Sequence, residues 1–236
     1  MCTVTFIPKS PNGFILISNR DEAPARKTLR PLIYTVNGVQ LVYPKDEVAG
    51  GTWFGSSSEK RLICLLNGGF KAHKRENSYR VSRGSIVIDL LVAKDIVSEI
   101  NTYNFIGVEP FTIILVDWSG DLVLYEVVWD GSIVHFTEKP LAPQIWSSSL
   151  LYSEETKNKR VSWFSDFISK NSNPSEAALL AFHKIAGEGS KESDLLIDRG
   201  FVKTKSITKF SKSKRTTFRY EDLQSSEVYQ IEISDH

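Results

Sequence analysis

A chain of 236 residues, 41% hydrophobic and 24% charged, has the composition of a soluble globular protein and is long enough to bury a large core. Its net charge of +1 gives no global attraction to nucleic acid, and no apolar run approaches the ~20 residues that span a bilayer, so neither nucleic-acid binding nor membrane insertion is expected. The first residues lack the charged start and apolar core of a signal peptide, and Cys2 and Cys64 read no more as a disulfide framework than as two free thiols, which predicts a reducing, cytoplasmic location.

In chain order, residues 3–8 and 14–19 read as two strands joined by a turn at Pro11-Asn12-Gly13. Strands at 38–43 and 61–66 follow, separated by the glycine-bracketed turn Gly50-Gly51-Thr52-Trp53-Phe54-Gly55. From an N-cap at Ser82, the residues Ile86, Leu90, Leu91, Ile96, Val97 and Ile100 fall near helical spacing and predict one helix. Three strands are expected at 111–118, 122–129 and 132–137, with Asp130-Gly131 as a hairpin signal. Two helices follow. One covers 153–169, with Val161, Phe164, Phe167 and Ile168 as its stripe; the other starts at Pro174 behind an Asn173 N-cap and reaches about residue 186. Strands at 201–209, 215–221 and 227–233 close the chain. No repeat or long linker divides residues 1–236, which read as a single α+β domain with helices packed outside antiparallel sheets, around one or two cores.

The chemistry concentrates at the amino end. Removal of Met1 would leave Cys2 with both a thiol and a free α-amine. A thiol acts as its thiolate, and an α-amine of pKa about 7.7–8.0 suits a general base. The second strand delivers Asn19-Arg20-Asp21-Glu22. Arg20 is suited to hold a thiolate or a substrate carboxylate, and Asp21 to orient the α-ammonium. Adjacent strand residues point to opposite faces, so Arg20 and Asp21 should part company. Asn67, before Gly68-Gly69, reads either as a hairpin turn or as an amide donor to an oxyanion. Trp53 reads as turn packing or a ligand platform, Cys64 as an inert buried thiol, and Ser147-Ser148-Ser149 as a capping loop. Lys203, Lys205 and Lys209 read as a solvated sheet surface that a phosphate-bearing ligand could use. The histidines at 73, 135, 183 and 236 lack metal-ligand spacing with a cysteine, so no metal is expected.

Met1-Cys2, Asn19-Arg20-Asp21-Glu22, Gly50 to Gly55 and Leu66-Asn67, with Ser82-Arg83-Gly84 and the 146–152 loop as weaker points, resemble the NRDE family, also called the transport and Golgi organisation 2 (TANGO2) family. That family in turn resembles the N-terminal nucleophile (Ntn) hydrolases with an N-terminal cysteine. The resemblance implies a four-layer αββα sandwich and hydrolysis of a linear amide without a cofactor. It implies Cys2 as nucleophile, Arg20, Asp21 and Asn67 as its catalytic partners, and Asn19, Trp53 and Ser148 on the substrate side. Arg160, or a lysine of the 203–209 strand, stands where those hydrolases have a late arginine. The same family resemblance carries a rival expectation, a non-catalytic carrier of haem or lipid in which Cys2 is a soft ligand for haem iron.

Overall fold

The computed structural model describes residues 3–233, so the expectations placed on Met1 and Cys2 lie outside the described residues. In chain order the elements are β1 (Thr3–Lys9), β2 (Gly13–Glu22), β3 (Thr28–Val36), β4 (Val39–Asp46), β5 (Phe54–Ser57), β6 (Arg61–Asn67), α1 (Arg83–Val92) and α2 (Ile96–Thr102). Then come β7 (Phe111–Asp117), β8 (Val123–Trp129), β9 (Val134–Lys139), β10 (Gln144–Ser147), α3 (Glu154–Lys170), α4 (Glu176–Ile185), β11 (Lys203–Lys212), β12 (Thr216–Asp222) and β13 (Val228–Ile233).

The chain separates into two compact units. The first takes the chain up to Ala25 and again from Leu141. It holds an antiparallel sheet ordered β10-β1-β2-β11-β12-β13. Alternation along β2 sends Ile15 and Ile17 to one face, where they meet Phe164 of α3 and Leu179 and Phe182 of α4. Phe14 faces the other way and stacks between Phe6 and Phe210, with ring centroids 5.9 and 5.5 Å apart. The stripe of α3 departs from expectation: Val161 is half in water, and the buried position one residue earlier belongs to Arg160. The cap of α4 is Ser175 rather than Asn173, its hydroxyl accepting from the Ala178 amide. The lysines of β11 are not a solvated surface, because β11 is an inner strand. Lys205 and Lys209 are buried, Lys209 pairing with Glu176 and Lys205 donating to the Pro24 carbonyl at 3.0 Å.

The second unit, Arg26–Pro140, holds an antiparallel sheet ordered β3-β4-β5-β6-β7-β8-β9. Helix α1 packs on β5 and β6 through Ile86, Val87, Leu90 and Leu91. The expected single helix is broken after Val92: Ala93 leaves helical geometry, and Asp95 caps α2 afresh by accepting from the Ser98 amide. The buried Arg61 closes the end of α1 by donating to the Leu90 and Ala93 carbonyls. Asn67-Gly68 is not a hairpin, since β6 pairs with β7 far along the chain, Asn67 lying opposite Phe111.

The two glycine-bearing motifs of this unit explain each other. The Thr52 amide donates to the Gly84 carbonyl at 3.1 Å. A Cβ on Gly51 would lie 2.3 Å from the Gly84 carbonyl carbon, and one on Gly84 would lie 2.9 Å from the Thr52 backbone. Backbone meets backbone here, and neither side can yield cheaply. Gly51→Ala and Gly84→Ala should each cost about 1–3 kcal/mol, as overpacking does. Urea denaturation checks this, and a midpoint equal to that of the unsubstituted protein would refute the contact. Among the described residues no helix is long and apolar enough to cross a membrane.

Candidate active site

At the end of β2 the strand divides its polar residues between two faces. Asn19 and Asp21 share the side of Ile17, toward α3 and α4, while Arg20 is on the opposite side and pairs with Glu22 at 3.8 Å. All three of Asn19, Arg20 and Asp21 are buried.

Asp21 is gripped by two hydroxyls. Tyr152 donates to Oδ2 at 2.6 Å and Thr204 to Oδ1 at 2.5 Å. Thr204 accepts in turn from the Ile197 amide at 2.9 Å. A bulge in β11 makes this possible: Thr204 lies opposite Asp21 and Ser206 opposite Arg20, with Lys205 extra between them. The additional residue turns Thr204 to the same face as Ile207, three positions on. Burial first, and then the charge of Arg20, lowers the pKa of the Lys205 ammonium below the usual lysine value.

Tyr152 is itself held from behind. The Arg160 guanidinium lies over its ring at 3.6 Å, and Arg199 stands at 5.1 Å. Arg160, fully buried, donates to Thr3 Oγ1 at 2.5 Å and to the Ser193 and Asp194 carbonyls at 3.1 and 2.5 Å. Thr3, the residue that follows Cys2, lies between Asn19 of β2 and Ser147 of β10. Ser148 comes next after β10 and is buried, its carbonyl accepting from the Tyr152 amide at 3.2 Å. The network therefore runs from Asp21 through Tyr152 and Arg160 to the start of β1. The sequence reading offered Arg160 among alternatives but missed Tyr152 and Thr204. The available signal was Arg160 at the i−4 position of Phe164, on the buried face of α3.

Asn19 is engaged differently. Its amide nitrogen donates to the His183 and Leu195 carbonyls at 3.1 and 2.8 Å, and its oxygen faces His183 Nδ1 at 2.8 Å. That oxygen can only accept, so His183 carries its proton on Nδ1 and accepts from Thr5 through Nε2 at 2.7 Å. Complete burial, helped by the charge of Arg160, pushes the His183 pKa down to about 3 from 6.5. The unfolded chain then binds a proton between those values that the folded chain refuses. Stability is expected to fall as pH drops from 6.5 toward 3, by up to about 1.4 kcal/mol per pH unit from this group alone. Urea denaturation at pH 7, 6 and 5 checks it, and His183→Gln should remove that part of the slope.

Trp53 and Asn67 belong to the second unit. Trp53 is buried, and its carbonyl accepts from the Leu65 amide at 2.8 Å. Asn67 is half-buried at the last position of β6. The glycine that follows it is pinned through both of its backbone groups. The Gly68 amide donates to the Pro110 carbonyl, and Thr112 Oγ1 donates to the Gly68 carbonyl, each at 3.0 Å. Gly68 leaves the strand with φ +89°, a conformation that favours glycine. Cys64 is fully buried within β6.

Known structures share this arrangement of strands and helices. The chain is similar to the conjugated bile acid hydrolase from Clostridium perfringens, with TM-score 0.60 and 8% identity, over 98% of this chain and 92% of that one. It is similar to the N-acylethanolamine-hydrolyzing acid amidase ortholog of Caenorhabditis elegans, with TM-score 0.62 and 11% identity, over 88% and 92%. It is also similar to penicillin V acylase from Agrobacterium tumefaciens, with TM-score 0.52 and 11% identity, over 98% and 86%. The fold is thus the α+β fold of the Ntn hydrolases, with mainly antiparallel sheets. Against the curated proteins, no sequence matches significantly. The family model of Transport and Golgi organisation 2 matches residues 1–180, and the chain belongs to that family.

Proposed function

We propose that the chain is an N-terminal-cysteine hydrolase that cleaves a linear amide by acyl transfer to Cys2 and then to water. The observation that carries this reading is Asp21, a buried carboxylate fixed by two hydroxyl donors at the end of β2, on the strand beside the residue that follows Cys2. In this reading Met1 is removed and the α-amine of Cys2 takes the thiol proton. The sulfur attacks the carbonyl carbon, the C–N bond breaks, and the proton leaves on the amine. Water, deprotonated by the same α-amine, then opens the thioester, and the acid is released. Asp21 holds the amine. Arg20, on the opposite face, attends the thiolate, so the parting of these neighbours fits a division of labour. Asn67 serves as an oxyanion donor, and the pinned glycine after it supports that role. Ser148, which follows β10 on the substrate side, is a candidate for a second donor. In this reading residues 1–236 act as one functional domain, which a family match over residues 1–180 supports. A cytoplasmic location is part of the same proposal.

The test is limiting alkylation followed by peptide mapping and intact mass. Cys2 should be found at the amino terminus and should react well ahead of Cys64. A retained methionine, or equal labelling of both thiols, would sink the hydrolase. In that event, haem or lipid binding undiminished in Cys2→Ala would favour a carrier.

A further inference from the structure

Within the first unit, Arg160 stands apart from the buried cations Arg20 and Lys209. Arg20 has Glu22 at 3.8 Å, and Lys209 pairs with Glu176. Arg160 is fully buried, and among the described residues no carboxylate stands within ion-pair distance of it. Its N–H groups go to the Thr3 hydroxyl and to the Ser193 and Asp194 carbonyls, and its plane lies on the Tyr152 ring. Buried arginines are ordinarily paired, because leaving water costs an ion heavily. These neutral contacts satisfy the donors of Arg160 and leave its charge unneutralised.

The charged groups around it are engaged elsewhere. The Asp194 carboxylate accepts from the Glu188 and Gly189 amides at 2.9 and 3.0 Å. Arg199, 5.1 Å from the Tyr152 ring, has Glu192 at 3.4 Å. Lys157, three residues earlier on α3, has Glu154 at 2.7 Å. Asp21 of β2 is reached through the Tyr152 hydroxyl. His183 of α4 feels the field: after burial, the charge of Arg160 is the second cause of its lowered pKa. The positive field thus spreads into its surroundings instead of ending on a partner.

That field falls on the amino end. Arg160 donates to Thr3 Oγ1 at 2.5 Å, and Thr3 is bonded to Cys2. Covalent geometry alone keeps the Cys2 α-amine within about 10 Å of the guanidinium. The amidase reading meets a difficulty at this point. A carboxylate that orients an α-amine also stabilises its ammonium form, and an ammonium is no base. Asp21 acting alone would disarm the amine it holds. A nearby unpaired cation opposes this, since a like charge disfavours protonation.

We infer that Arg160 prepares the base of the proposed reaction: its unpaired guanidinium anchors the start of β1 through Thr3 and offsets Asp21, so that the α-amine of Cys2 rests in its neutral form. Resting on the amidase reading, this makes Arg160 a positioning residue that acts through Thr3 and through its charge. At an effective dielectric of about 20, a unit charge about 10 Å away moves a titration by about one pH unit. An α-amine ordinarily titrates at about 7.7–8.0, so a fall of about one unit leaves it half-neutral near pH 7.

The test reads the amine directly, in the full chain carrying Cys2→Ala, where no thiol titrates beside it. Limiting acetic anhydride between pH 5 and 9, with mapping of the amino-terminal peptide, gives the pH at which the amine becomes half-reactive. A midpoint near pH 7 is expected. Arg160→Met should raise it by about one unit, and Arg160→Lys, which keeps the charge, by much less. Arg199→Met, which removes a cation that already has a carboxylate, should leave it in place. A midpoint of about 7.7 or above in the chain that retains Arg160 overturns the inference by itself, whether or not Arg160→Met folds. So does a midpoint that a folded Arg160→Met variant leaves unmoved, or that Arg199→Met moves equally. Alkylation of Cys2 in the chain that retains it reads the amidase separately. A reactive Cys2 beside an amine of ordinary midpoint overturns the role of Arg160 alone. An unreactive Cys2 beside a lowered midpoint overturns the amidase alone, and a retained Met1 overturns both.

Discussion

Asn19→Ala is expected to cost about 3–5 kcal/mol and to lower the melting midpoint by roughly 6–20 °C. The side chain is fully buried and uses every polar atom. Its removal strands the His183 and Leu195 carbonyls and the Nδ1–H of His183 in a space that water does not reach. Each orphaned group costs about 1–3 kcal/mol, and the three are not independent. The loss also frees His183, whose other nitrogen is the partner of Thr5 on β1, so β1, β2 and α4 loosen together. Calorimetric or circular-dichroism melting checks this. A substrate ligand would behave in the opposite way, with a stable fold and weakened binding. A midpoint within 2 °C of the parent would therefore restore Asn19 to the substrate side.

The sequence revealed most where the pattern is local. Alternation placed β1, β2, β6 and β7 within a few residues, and Ser82 is the cap of α1 as its sequence suggests. It revealed less where a long-range partner decides. Asn67-Gly68 has the composition of a hairpin, yet the strand that pairs with β6 begins at Phe111. Apolar spacing continues across Ala93-Lys94-Asp95, so the break between α1 and α2 is visible only through the new cap at Asp95. The strand β3 carries Pro31 and exposed Leu32 and Ile33, which an edge position tolerates and a sequence pattern reads as loop. The strands β5 and β10 span four residues each, too short for a period to emerge. Lys209 looked solvated because its neutralising partner, Glu176, is on α4. At the candidate site, Arg20 and Asp21 were legible from type and spacing. The hydroxyls that hold Asp21 were not, because Tyr152 and Thr204 lie 131 and 183 residues further along the chain.

That geometry sets the final expectation, an Asp21→Asn variant that folds but loses reactivity at Cys2. An ionised carboxylate only accepts, and here it accepts from two hydroxyls. An amide in its place presents one oxygen and one NH2 group. One of the two hydroxyls then meets a donor and must turn away, at a cost of about 1–3 kcal/mol in stability. The larger consequence is electrostatic. If Asp21 orients the α-ammonium, the charge that holds the amine in place disappears, and the general base is lost. General-base assistance is worth about 10²–10⁴ in rate, so acylation of Cys2 by an amide should slow by about 10²–10³. Tyr152→Phe keeps the charge and removes one donor. It should cost far less, shifting the pH dependence of Cys2 alkylation while leaving most of its rate. Arg160 lies against the Tyr152 ring and donates to Thr3, so this variant also tests whether that chain of contacts positions the amino end. The measurement is the alkylation rate of Cys2 from pH 6 to 9, with Cys64 as internal reference. Identical profiles in all three proteins would show that Asp21 closes the end of β2 and does nothing to the thiol.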